Sequence, residues 1–289
     1  MTSSTTRRAR RVERADRRID PTWPGELAWA LADAVVLTKR NLVQTVRVRA
    51  LWPFIVVQPL VLVLLFSLVF GGAIELPGGA DYRDFLMAGV FAQAVAFTTY
   101  PTAMGIAFDL KLGLMDRFRS MPIHPAAILI GRTMGDLARL AISIAVMAGC
   151  GLAVGWRVSD GVGRAVAGFA LLAAFGLAMS WVGVWLGLVA RSVEVAQSLP
   201  MIWLFPLTFL SSAFVPTQSM PVVLEEIAEW NPVSSVAAAA RAMFGNPSPF
   251  ADPGSFPAQH PVLLTVAWSI GLTALGAVAC TRRMRAIGR

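Results

Sequence analysis

Few residues in this chain could do covalent chemistry, and their spacing excludes most of what they could do. The only lysines, Lys39 and Lys111, follow Thr38 and Leu110. Neither completes the Gly-x-x-x-x-Gly-Lys-Ser/Thr loop that cradles nucleotide phosphates, so the chain cannot hydrolyse ATP by that route alone. His124 and His260 each neighbour a proline, and no His, Cys and carboxylate cluster offers zinc spacing. Cys150 and Cys280 lie inside apolar runs and read as small buried hydrophobes rather than disulfide partners. No Gly-x-Ser-x-Gly nucleophile elbow occurs either.

What remains is the chemistry of docking and passage. Asp116, Arg117 and Arg119 cannot enter hydrocarbon, whereas Leu114, Met115, Phe118 and Met121 around them are apolar. A short helix of that composition lies flat at a membrane interface and offers an apolar and charged knob to a partner. Pro122 and Pro125 end it and turn the chain. The plainer reading is a solvated basic loop. Asp136 and Arg139, spaced i, i+3, suit a local ion pair. Pro101 and Pro206 interrupt apolar runs, each freeing a backbone carbonyl and allowing a kink. Thr98 and Tyr100 lie beside the first; Phe205, Thr208 and Phe209 flank the second. These five residues mark a candidate substrate path, with simple packing kinks as the alternative.

The elements that position these groups follow from the solvent. Of 289 residues, 56% are apolar and only 15% charged, too little charge to cover a soluble domain. A helix rises about 1.5 Å per residue, so about 20 apolar residues cross a bilayer core. Six segments reach that length: Trp52–Gly71, Leu86–Phe108, Leu137–Val154, Ala165–Ala190, Val195–Val215 and Pro261–Cys280. The ten-residue alternation of a β-barrel is absent. The expected fold is an all-α membrane protein of six transmembrane helices. An N-terminal interfacial amphipathic helix, Glu26–Arg49, precedes them, with Lys39 and Arg40 on its basic face. Two short outer helices, split at Asn231-Pro232, fall within Met220–Phe244, and Pro247, Pro249, Pro253 and Pro257 make a stiff, non-helical return.

A net charge of +8 would suggest nucleic acid in a soluble protein, but the distribution points elsewhere. On this topology 21 of the 25 basic residues fall on one side; Arg83, Arg157, Arg164 and Arg241 fall on the other. The first side, holding both termini, is therefore expected to be cytoplasmic, with no nucleic-acid partner. Residues 1–25, with seven arginines between Arg7 and Arg18, read as a disordered basic tail against anionic headgroups, and 26–289 as the six-span membrane domain. The span interiors hold no ionisable group, with Asp109, Asp136 and Arg139 only at cytoplasmic ends, which disfavours a proton-driven pump; if the chain moves something, the energy comes from another subunit.

Four stretches carry a family resemblance. They are LTKRNLVQTVRVRALWPFIVVQPLVLVLLFSLVFGG at 37–72, GLMDRFRSMPIHPAAILIGR at 113–132, FPLTFLSSAFVP at 205–216 and MPVVLEEIAEWNPVSSVAAAARAMF at 220–244. In this order the chain resembles a type-2 ABC transporter permease of the daunorubicin-resistance kind, a drug and lipid exporter. The resemblance implies a cell-membrane dimer of identical or homologous permeases docked on two cytoplasmic ATP-binding subunits. ATP and magnesium would sit on those subunits, and no cofactor on this chain. It also implies that Leu114, Met115, Asp116, Arg117, Phe118, Arg119 and Met121, with Lys39 and Arg40, couple to the ATPase. The cargo would be an amphipathic drug, natural product or lipid. A polysaccharide or teichoic-acid polymer, or a non-transporting anchor role, are the alternatives. The arginine-rich start maps onto no family feature.

Overall fold

Backbone groups in hydrocarbon have no water to bond, so apolar runs must satisfy themselves within the segment. The computed structural model describes residues 82–113, 125–214, 220–246 and 255–287, with Thr217 and isolated positions between 57 and 65. The tail 1–25, the helix Glu26–Arg49 and nearly all of the span Trp52–Gly71 lie outside these residues. Every element among the described residues is helical: α1 Tyr82–Ala96, α2 Thr99–Lys111, α3 Pro125–Ala153, α4 Val162–Val189, α5 Val193–Phe209, α6 Val222–Trp230, α7 Pro232–Phe244, α8 Phe256–Gln259 and α9 Pro261–Ile287. Three are long and apolar enough to cross a membrane: Ile130–Ala153 of α3, all of α4 and Pro261–Met284 of α9. Helix α5 is apolar but shorter.

Several boundaries differ from the hydropathy pattern, each for a local reason. The expected span Leu86–Phe108 is two helices, broken at Phe97-Thr98. Pro101 lacks an N–H, and its ring crowds the carbonyl four residues earlier, which belongs to Phe97. The backbone answers with a tighter turn, Tyr100 N donating to Phe97 O at 3.1 Å. Helix α3 starts at Pro125, well before Leu137, because Arg132, Asp136 and Arg139 pair within the fold and so do not end the helix. Helix α5 stops at Phe209 rather than reaching Val215. Asn231 separates α6 from α7 as expected, and Pro232 opens α7 where its missing N–H costs nothing. Pro257, expected in a non-helical return, instead lies in the short helix α8.

Helix α4 is the centre of the packing, with α9 along one side and α2, α7 and α3 around it. Gly183 and Gly187, four apart, let α2 approach α4 at backbone distance. A Cβ at Gly183 would meet Thr99 O at 2.6 Å, and one at Gly187 would meet Ala103 O at 2.6 Å. Such small-xxx-small pairs are how helices associate without a hydrophobic driving force. Phe91, Trp156, Phe169 and Phe244 fill the core edge to face, with centroids 5.0–5.9 Å apart.

The helices alternate in direction. Arg83 donates to Val154 O at 3.1 Å and Ser159 Oγ to Gly245 O at 2.8 Å, placing the start of α1, the α3–α4 loop and the end of α7 together. At the opposite end Arg283 reaches Leu188 O at 3.5 Å, and Arg132 near the start of α3 faces Asp109 near the end of α2.

Candidate functional site

The docking residues Leu114, Met115, Asp116, Arg117, Phe118, Arg119 and Met121, with Lys39 and Arg40, lie outside the described residues. The structure does describe the frame that holds the 114–121 segment. The chain leaves α2 through Gly113 at φ 64°, a left-handed conformation that favours glycine, with Gly113 N donating to Leu110 O at 3.0 Å. It re-enters helix at Pro125.

Between these two helices lies a charge cluster. Asp136 on α3 is nearly buried, its side chain 3% exposed. Arg139 pairs with its Oδ1 atom, and Arg132 Nε stands 3.8 Å from that same atom. Arg132 also faces Asp109 of α2 at 3.8 Å and donates to Pro101 O at 3.3 Å. Its guanidinium occupies the notch left by Gly105, where a Cβ would come within 1.7 Å of Nη2. Thr102 of α2 completes the cluster, its hydroxyl 2.6 Å from Asp136 Oδ2. Two cations and two anions balance there, which is how charge is tolerated near hydrocarbon. The expected i, i+3 pairing of Asp136 and Arg139 is present, within a larger network that spacing alone did not disclose.

The candidate path residues divide into two kinds. Phe205 and Phe209 are 48% and 63% exposed and stack at 6.0 Å with 11° between ring planes. Phe97 meets Phe205 edge-on at 6.0 Å, and Phe214 lies 6.5 Å from Phe209, so four aromatics form a ladder reaching the surface. Thr98 and Thr208 instead direct their hydroxyls at backbone carbonyls. The Thr208 hydroxyl is 2.7 Å from Leu204 O and 3.2 Å from Phe205 O, and the residue is fully buried. Tyr100 is half-buried and belongs to neither group.

At the opposite end of the bundle, sequence reasoning missed a second assembly. Arg241, counted from its charge as a loop cation, is 1% exposed. Its Nε donates to Phe85 O at 3.0 Å, its Nη2 to Ser212 O at 2.8 Å and Ala213 O at 3.0 Å, and Cζ lies 3.7 Å above the Phe85 ring. Asn231 Nδ2 donates to Leu207 O and Leu210 O at 2.7 and 2.6 Å, while its Oδ1 accepts from Val233 N at 2.8 Å. Tyr82 donates to Phe214 O at 3.1 Å. Asn231 takes up the carbonyls of Leu207 and the C-cap Leu210 at the end of α5, and Arg241 and Tyr82 take up those of the turn that follows it. The signal was in the sequence: the Asn-Pro and the arginine of residues 220–244 are these capping groups.

Among the described residues no group of three or more His, Cys, Asp or Glu side chains could hold a metal ion. A helical bundle with three membrane-length apolar helices among its described residues defines a multi-pass membrane protein. Residues 33–244 match the model of the ABC-2 type transporter family, and the chain belongs to that family. It is similar to the daunorubicin resistance ABC transporter permease protein DrrB1 of Streptomyces coeruleorubidus, at 35% identity over 200 residues, 69% of this chain and 70% of that one. It is also similar to the probable doxorubicin resistance ABC transporter permease protein DrrC of Mycobacterium tuberculosis, at 24% over 263 residues, 88% of this chain and 91% of the other. The doxorubicin resistance permease protein DrrB of the same organism is 29% identical over 193 residues, covering 66% and 65%.

Proposed function

We propose that this chain is the membrane-spanning subunit of an ATP-driven exporter of amphipathic small molecules. It crosses the cell membrane six times with both termini cytoplasmic. It pairs with an identical or homologous permease and docks two cytoplasmic ATP-binding subunits that carry the ATP and magnesium. The observation that carries this reading is the match of residues 33–244 to the ABC-2 family, joined to relatives named for daunorubicin and doxorubicin resistance.

The geometry supports a mechanism at two places. In the sequence the 114–121 segment joins α2 to α3, the two helices that share the Arg132–Asp109 and Thr102–Asp136 contacts. A partner pressing on that segment would therefore act on both helices at once. Leu114, Met115, Phe118 and Met121 supply apolar contact to the ATPase, and Asp116, Arg117 and Arg119 supply registration by charge. Lys39 and Arg40 on the interfacial helix add a basic flank. The cargo passes along the ladder of Phe205 and Phe209, with Tyr100 near the break and Thr98 and Thr208 shaping the helices rather than touching cargo. Stacked aromatic faces suit a flat amphipathic molecule better than a hydrated polymer.

Everted membrane vesicles test this. Vesicles holding the chain with its ATP-binding subunit should accumulate doxorubicin on ATP addition and stop on vanadate. Vesicles lacking that subunit should not accumulate it. Accumulation that ignores ATP, or that proceeds without the second subunit, contradicts the reading.

A further inference from the structure

Three threonines beside the α1–α2 break share an unusual geometry. A hydroxyl has one proton to donate, yet each has two acceptors within reach. Thr98 Oγ1 is 2.7 Å from Val95 O and 3.4 Å from Gly176 O. Thr99 Oγ1 is 3.0 Å from Ala96 O and 3.1 Å from Met179 O. Thr102 Oγ1 is 2.8 Å from Thr98 O and 2.6 Å from Asp136 Oδ2. In every case one acceptor lies on the broken span itself and the other on a neighbouring helix, α4 or α3.

Ordinary repair of a helix does not require this. Thr208, close to Pro206, finds both of its acceptors on its own helix, and Thr265 and Thr281 bond only the carbonyl four residues back. With one proton for two acceptors at each hydroxyl, two hydrogen-bonding arrangements are open to the break at Phe97-Thr98. In one, the hydroxyls turn to Val95, Ala96 and Thr98 and close the break from within. In the other, they tie the span to α3 and α4. The backbone leaves the choice open, since Thr102 N is 3.4 Å from Thr98 O, a weak bond that the hydroxyl can supplement.

Thr102 is the member connected to the outside. Its second acceptor, Asp136, is a carboxylate paired with Arg139, and Arg132 stands between it and Asp109. The helices carrying these two groups, α2 and α3, are consecutive in the chain, and a shift of one against the other changes the Thr102–Asp136 separation.

We propose that Thr98, Thr99 and Thr102 form a hydroxyl switch that sets the bend of this span. Asp136 throws it through Thr102 when the partner ATPase moves the 114–121 segment. This rests on the docking role assigned above to that segment. Thr102 and Asp136 are positioning residues: they touch neither nucleotide nor cargo, and they transmit a displacement at the loop to the break.

The test uses the permease–ATPase complex in lipid nanodiscs, with nitroxides at L112C and V162C on a C150S/C280A background. Both label sites are exposed, at 68% and 81%, and lie on opposite sides of the break's packing against α4. Electron–electron resonance should show the label distance shifting between nucleotide-free and ATP–vanadate states. T102V removes the proton at nearly constant shape and should abolish the shift while the ATPase still co-purifies; T102S should retain it. In proteoliposomes, doxorubicin moved per ATP hydrolysed should fall about fivefold in T102V, the scale of one net hydrogen bond, and recover in T102S. If T102V does not assemble, T102A makes the same deletion with less bulk, and the same loss of shift is expected. A full shift in the variant lacking the hydroxyl overturns the proposal, as does no shift in the wild-type complex. The docking role fails separately, if charge reversal at Asp116 and Arg117 leaves transport coupled to hydrolysis.

Discussion

The two ends of the bundle neutralise charge by opposite means. At the α2–α3 end, cations meet anions, and Arg132 keeps a loose 3.8 Å from both Asp109 and Asp136. At the other end the ion pair Arg164–Asp160 lies at the surface, and the buried cation, Arg241, meets only neutral oxygens, at 2.8–3.0 Å. Ion pairs at such distances with partly exposed arginines tolerate rearrangement, because each guanidinium can shift between carboxylates and the polar headgroup zone. A guanidinium holding the turn carbonyls of Ser212 and Ala213 cannot shift without orphaning them, and each orphan costs about 1–3 kcal/mol. One end is thus adjustable and the other a fixed cap.

That comparison breaks most visibly at the fixed end. R241L should lower stability by about 3 kcal/mol, since the buried carbonyls of Ser212 and Ala213 lose their donor together. The apparent melting temperature in detergent, followed by tryptophan fluorescence, should drop accordingly, and R241K should recover part of it. At the adjustable end, D136N should cost less, about 1–2 kcal/mol, because Arg132 retains Asp109 and Arg139 keeps 24% exposure. Its larger effect should be on transport per ATP rather than on melting. Equal melting losses for R241L and D136N would erase the distinction between the ends. The smallest stability change belongs to F209A, whose ring is 63% exposed, at no more than about 0.5 kcal/mol. It should nevertheless alter export of some cargoes more than others. A uniform loss that follows protein abundance would mark Phe209 as a packing residue.

The helical character, the α6–α7 division at Asn231-Pro232 and the Asp136–Arg139 pair were all legible in the sequence, because each rests on local spacing. Pro101 announced a disturbance, but not that the two threonines just before it would bond across to Gly176 and Met179. Those partners lie far along the chain, and only packing brings them near. The early start of α3 was hidden for a related reason. Hydropathy sees Arg132, Asp136 and Arg139 as an end to the apolar run, whereas their mutual pairing lets the helix continue. Arg241 misled most: a positive charge on a string reads as a topology marker, and its three carbonyl partners become visible only in three dimensions. Phe205 and Phe209 were singled out for flanking Pro206, and their stacking into an exposed ladder with Phe97 depends on how α5 lies against the break.

The central claim is that a separate ATPase drives this chain through its 114–121 segment. Reversing the pair, Asp116→Arg with Arg117→Asp, in the intact complex tests it most directly, with ATP hydrolysis and doxorubicin accumulation read from the same proteoliposomes. The account predicts that the permease still inserts and hydrolysis continues while accumulation falls at least about tenfold, a loss of roughly 1.4 kcal/mol of coupling. Accumulation per ATP equal to that of the unaltered complex would contradict it.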